Sequence, residues 1–140
     1  MLRRAFETGI AIAFLWDSPY QFYAWSAHDE DLNFRAMVEF LASAAYKTLL
    51  LNENAGYKGE AVISLSDAEA LYRTLSNVTH GKWSTFESAL PDRFSHNPSE
   101  WTAHILRVAQ VEDILLKIWR LRFVNLFLEL LVRLPALERV

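Results

Sequence analysis

Four glycines and four prolines in 140 residues leave this chain little material for turns. A sandwich or barrel of short strands needs a turn signal every 8–12 residues or so. The alternative is a small number of long elements. Apolar residues recur at three- and four-residue steps over most of the length, the period of a helix buried along one side. The expected fold is therefore all-α, a bundle of four to six helices. A chain of 140 residues suits one domain with a single core, so residues 1–140 are taken as one unit.

The helices can be placed by their punctuation. Residues 1–16 form an amphipathic first helix that opens with no capping residue, as in a trimmed chain or a short family member. Ser18-Pro19 supplies a cap followed by proline at the first helical position, and a short helix follows over Tyr20 to Ala27. Asp31 is placed to cap a long helix from about Leu32 to Asn52. Its apolar stripe is Phe34, Met37, Val38, Leu41, Ala45, Thr48 and Leu49. Residues 52–59 are a loop. Ser66-Asp67-Ala68-Glu69 has the form of a capping box and starts a helix that runs to His80, with Gly81 just past its end. Trp83 to Leu90 is ambiguous, one or two turns of helix at most, and Pro91 to Pro98 is a loop. The last helical region runs from Pro98 to about Leu134, unusually long for a small domain, with a bend or break expected near Arg120–Arg122.

Composition excludes several classes. The chain is 52% hydrophobic and 22% charged, as packed proteins are. A net charge of −3 argues against a dedicated binder of duplex DNA. There is no cysteine, hence no disulfide, thiolate nucleophile or Cys-based zinc site, which fits a reducing, cytoplasmic setting. No segment reads as membrane-spanning. The run Gly9–Trp16 is short and ends at Asp17, and charged residues from Glu112 to Arg133 interrupt the C-terminal region. Arg3 and Arg4 precede an apolar run, but Glu7 and the lack of a small-residue cleavage site favour a helix over a signal peptide.

The most definite chemical proposal lies in the helix that begins at Ser66. Ala68, Leu71, Leu75 and Val78 form its apolar stripe, and Glu69, Arg73, Ser76, Asn77 and His80 form a polar stripe beside it. Arg73 and His80 are two turns apart and leave the same face. Histidine suits proton transfer near pH 7, and arginine suits contact with phosphate oxygens. Together they fit RNA cleavage without a metal, in which the ribose 2′-hydroxyl attacks the adjacent phosphorus. A second subunit presenting the same stripe would supply a second histidine, so one serves as base and the other as acid. The plain alternative is a Glu69–Arg73 ion pair at four-residue spacing and a histidine that favours a helix C-terminus.

The segment Tyr72-x-x-Leu75-Ser76-x-x-x-His80-Gly81, in which Arg73 and His80 bracket six residues, resembles the motif region of the HEPN family (higher eukaryote and prokaryote nucleotide-binding), whose signature is an arginine followed by four to six residues and a histidine. Arg4-x-x-Glu7 before an apolar helix and the aromatic run Tyr20 to Trp25 are similar as well. The likeness covers about the first two-thirds of the chain. It implies an antiparallel helical bundle, often dimeric, and a metal-independent endoribonuclease or RNA-binding effector of a prokaryotic defence or toxin–antitoxin module. Arg73 would contact phosphate and His80 would transfer the proton, with Ser76 and Asn77 placed to touch substrate. Catalytic members carry Asn, Asp or His directly after the arginine, where this chain has Thr74. That departure keeps a second reading open: a catalytically inactive helical module for dimerisation or interaction. A third is a small-ligand pocket lined by aromatics.

No cofactor and no metal site are expected. His28 beside Asp29 and Asp31 reads as a solvated acidic turn, His96 has no obvious partner, and His104 reads as structural. Arg107, Lys117, Arg120 and Arg122 alternate with Glu112 and Asp113, as on an exposed salt-bridged face. The segment Phe123 to Val132 is apolar on nearly all sides and calls for burial all round. A homodimer or larger homo-oligomer through this C-terminal helix is the expected cover. RNA and a cognate antitoxin or defence protein are the other expected partners, and no membrane is.

Overall fold

The computed structural model describes residues 2–28, 30–79 and 98–133. Among them every regular element is a helix: α1 (Leu2–Trp16), α2 (Pro19–His28), α3 (Phe34–Ala42), α4 (Ala44–Glu53), α5 (Leu65–Thr79), α6 (Pro98–Arg122) and α7 (Val124–Arg133). The all-α architecture is the one expected. The count rises to seven among the described residues because two expected helices are each broken once.

The first break is at Ser43. Its backbone is extended, with φ −68° and ψ 155°. Its N–H donates to Phe40 O at 3.0 Å and closes α3, while its hydroxyl accepts from Tyr46 N at 3.1 Å and caps α4. One residue thus ends one helix and starts the next. The break rotates the buried stripe. Ala45 and Thr48, expected inside, are exposed, and Tyr46 and Leu50 are buried in their place. The second break, at Phe123, falls just past the Arg120–Arg122 stretch where one was anticipated.

Two caps also differ from expectation. Asn33, not Asp31, caps α3, its side chain accepting from Ala36 N at 3.1 Å. The helix expected to start at Ser66 starts at Leu65, and the Ser64 hydroxyl accepts from Asp67 N at 3.4 Å. Glu69 is therefore not a capping residue.

Helix α1 is the centre of the bundle and packs against α2, α3, α5 and α6. Phe6, Ile10 and Ala13, at helical steps along one side, are fully buried. They meet Val38 and Leu41 of α3, Leu71 and Leu75 of α5, and Leu115 and Ile118 of α6 in one cluster. Tyr57, Val62 and Ile63 join it from the α4–α5 connection. Gly9 sets the approach of α6. A Cβ there would lie 2.5 and 2.6 Å from the Leu115 δ-carbons, so only glycine allows this spacing as it stands. Trp119 Nε1 donates to Gly9 O at 3.1 Å across the same seam.

Arg122, at the end of α6, is pinned. Its Nε lies 2.9 and 2.7 Å from the two Asp17 carboxylate oxygens, and its second terminal nitrogen lies 2.6 Å from Oδ1. A further bond of 2.6 Å reaches Glu53. Side-chain exposure is 13% for Arg122 and 5% for Asp17, so this is an interior pair. It is not part of the exposed salt-bridged face expected of Arg122. Asn54 completes this corner, its side-chain amide donating to Leu121 O at 2.9 Å. Tyr46 is buried beside it, and its hydroxyl lies near the Asp17 carboxylate but makes no well-formed hydrogen bond among the described residues. Burial and the nearby Asp17 charge push that hydroxyl well above its ordinary range.

Candidate functional site

The polar stripe of α5 begins at Glu69 and Arg73. Arg73 is 76% exposed at its side chain and reaches Glu69 Oε2 at 3.4 Å. Glu69 also meets Arg35 of α3 at 3.4 Å, and Arg35 pairs with Glu39 at 2.8 Å. Two guanidiniums therefore face two carboxylates, and the patch carries no surplus of positive charge. It borders an open depression of about 420 Å3 that Asn33, Phe34 and Tyr72 also line. Ser76 and Asn77 are half-buried on the next turn. His80, the predicted proton-transfer group, lies outside the described residues, as do His96 and the ambiguous stretch Trp83–Leu90. Helix α5 thus places Arg73, Ser76 and Asn77 along one helix, and it places Glu69 against Arg73.

Tyr72 does different work from its neighbour. Its ring stacks on Phe34 at 4.1 Å between centroids, with 12° between planes. Its hydroxyl donates to Glu7 Oε1 at 2.8 Å, and Arg3 reaches both groups, at 3.0 Å to the hydroxyl and 3.3 Å to Oε1. Burial and the bond to Glu7 hold the Tyr72 hydroxyl above its ordinary range. It is Arg3, not the Arg4 of the sequence pattern, that partners Glu7 across one turn of α1. Arg4 is exposed.

A second surface is larger. A groove of about 770 Å3 runs between α1 and α2, walled by Ile12, Leu15, Trp16, Pro19, Phe22 and Trp25. Leu32 and Met37 close one side, and Glu7 and Thr8 stand at one end. Trp16, Phe22 and Trp25 are 65%, 51% and 44% exposed, with Phe123 meeting the Trp16 ring edge-on at 5.4 Å. The local cause is legible. Helix α2 carries Tyr20, Phe22, Tyr23 and Trp25 within ten residues, yet only Ala24 of that helix is buried. A ten-residue helix can bury one stripe, and here the small residue takes it. Phe22 and Trp25 lie 6.2 Å apart between ring centroids, one helical turn from each other. The aromatic run was visible in the sequence. That it faces outward depends on Ala24 being the buried residue of α2, which spacing alone does not decide.

Groups that hold metals are not gathered: the described residues contain no cluster of three His, Asp or Glu side chains suited to a metal ion. His28 is exposed at the end of α2, its ring edge-on to Tyr23 at 5.4 Å. His104 is exposed on α6 with Trp101 at 6.0 Å. Among the described residues no helix is long and apolar enough to cross a membrane. Among the described residues Leu126 and Leu128 of α7 remain more than half exposed, so α7 is not buried on every side by them. Comparison of the sequence and structure with protein-family models, curated proteins and solved structures finds no match.

Proposed function

We propose that this chain is a catalytically inactive helical binding module whose working surface is the aromatic groove between α1 and α2. The observation that carries this reading is the groove itself: about 770 Å3, apolar, aromatic-walled and uncovered among the described residues. Ligand sites in helical bundles typically occupy about 300–1,000 Å3, with apolar walls and a few polar groups at fixed positions. Large rings left exposed along one groove cost solvation free energy that a bound partner would recover.

The α5 stripe supports phosphoryl chemistry less well. Stabilising a phosphodiester in its transition state takes uncompensated positive charge aimed at the phosphoryl oxygens. Arg73 and Arg35 are already matched by Glu69 and Glu39. RNA cleavage is kept as a second reading because the Arg73 guanidinium is solvent-reachable, with Ser76 and Asn77 on the following turn. On that reading Arg73 holds the phosphate and His80 moves the proton. A homodimer through the C-terminal helix brings a second histidine, and a cognate antitoxin or defence protein in the cytoplasm restrains the activity.

One assay separates the two readings. Labelled RNA is incubated in EDTA with the parent protein and with His80→Ala. The binding-module reading predicts no cleavage by either protein. Cleavage by the parent that disappears in His80→Ala would overturn it and establish the RNA reading.

A further inference from the structure

The groove is not uniform along its length, and its asymmetry specifies an occupant. On α1 its lining runs in two rows, Glu7-Ala11-Leu15 and Thr8-Ile12-Trp16. At 1.5 Å per residue these rows extend about 13 Å along the helix. The two polar side chains, Glu7 and Thr8, are at one end, and the large ring of Trp16 is at the other. Glu7 uses Oε1 for both of its hydrogen bonds, from Tyr72 and Arg3, while Oε2 accepts none among the described residues. Among the described residues no lysine or arginine lines the groove. The one charged side chain among the described residues lining this apolar slot is thus a carboxylate, paired with Arg3 through Oε1 and with Oε2 still able to accept.

We infer that the groove binds an elongated apolar molecule carrying a protonated amine, with the amine at Glu7 and the hydrocarbon body lying toward Trp16. This rests on the binding-module reading and names the class of ligand. Each part of the slot contributes. The Glu7 carboxylate offers a charge-assisted hydrogen bond to the ammonium. The faces of Phe22 and Trp25 attract a cation during entry and cover an apolar chain afterwards. A carboxylate-headed amphiphile of the same length would bring like charge to Glu7 and find no lysine or arginine among the described residues that line the slot. Arg3 shares Oε1 at 3.3 Å and offsets part of the Glu7 charge, so the preference is moderate rather than absolute.

The test uses three probes of one chain length, decylammonium, decanol and decanoate, each titrated into the full chain below its micelle concentration and followed by calorimetry. Decylammonium is expected to saturate at one per chain and to bind roughly tenfold more tightly than decanoate, the size of effect one partly screened charge pair gives. Glu7→Gln keeps an acceptor for Tyr72, and it should level the two while leaving decanol unchanged. Ile12→Lys, at a half-exposed groove position, should reverse the order in favour of decanoate. Phe22→Ala should weaken all three. Equal binding of decylammonium and decanoate, or a preference that survives Glu7→Gln, would overturn the ligand class and leave the groove standing as a site. Failure of all three probes to bind would overturn the groove itself. So would self-association that competes with the probes and disappears in Phe22→Glu, since a second copy would then be the occupant.

Discussion

Removing Asp17 should do more damage than its single carboxylate suggests. Its two oxygens take three contacts of 2.6 to 2.9 Å from Arg122, with both side chains nearly out of solvent. Breaking a buried pair from one side leaves the other charge desolvated, at a cost of about 3–5 kcal/mol. The remaining partner here is Glu53, which is 46% exposed and compensates only in part. Asp17→Ala is therefore expected to lose about 3 kcal/mol in urea-induced unfolding, near the lower end of that range. Replacing both partners with apolar side chains, as in Asp17→Leu with Arg122→Met, leaves no charge stranded and should cost far less than either single change. The cycle should show a coupling of about 2 kcal/mol or more, within the range found for residues in contact. Single changes costing under about 1 kcal/mol, or costs that simply add, would show that the corner is not held by this pair.

Other outcomes follow from the same packing. Tyr46→Phe removes a buried hydroxyl that makes no well-formed hydrogen bond among the described residues and should leave stability unchanged or raise it by about 1 kcal/mol in thermal melts; a clear loss would mean that the hydroxyl is bonded to the nearby Asp17 carboxylate. The folded chain holds the Tyr46 proton above its usual value of 10.0, whereas the unfolded chain releases it there. Between those two values the folded state binds more protons, so stability falls as pH rises past 10, and Tyr46→Phe should fall less steeply in an alkaline series. Gly9→Ala should cost about 1–3 kcal/mol despite alanine's better helix propensity, because the new carbon meets Leu115. Adding Leu115→Val should recover part of that loss, and a Gly9→Ala protein as stable as the parent would show that α1 and α6 have room to separate.

How far these features could be read beforehand depended on what each signal measures. Helical periodicity placed α1, the core stripe of α5 and the final helical region, since Phe6, Ile10, Leu71 and Leu75 repeat at the right steps and are buried. It failed at Ser43, where the apolar pattern runs on through the break. A serine within a helical run is tolerated, and only its capping of Tyr46 N shows that the chain restarts there. The caps slipped by two residues because Asp31 and Asn33, or Ser64 and Ser66, are chemically alike at that range. At the candidate site, the four-residue spacing of Glu69 and Arg73 announced their ion pair. The addition of Arg35 from α3 was not visible, because it depends on how two helices meet. The Asp17–Arg122 pair joins residues 105 apart in sequence, and no local pattern reports such a partner. The groove was half legible: the aromatic run of α2 was evident, and the choice of Ala24 as its buried residue was not.

On the proposed reading the surface between α1 and α2 meets the partner of this protein and the α5 stripe does not. Isotope-labelled protein titrated separately with decylammonium and with a short single-stranded RNA, followed residue by residue in amide NMR spectra, tests it directly. Saturable shifts are expected at Thr8, Ile12, Trp16, Phe22 and Trp25 with the amine, and none at Arg73, Ser76 or Asn77 with the RNA. Saturable RNA shifts along Arg73, Ser76 and Asn77, with the groove amides unmoved by the amine, would contradict it.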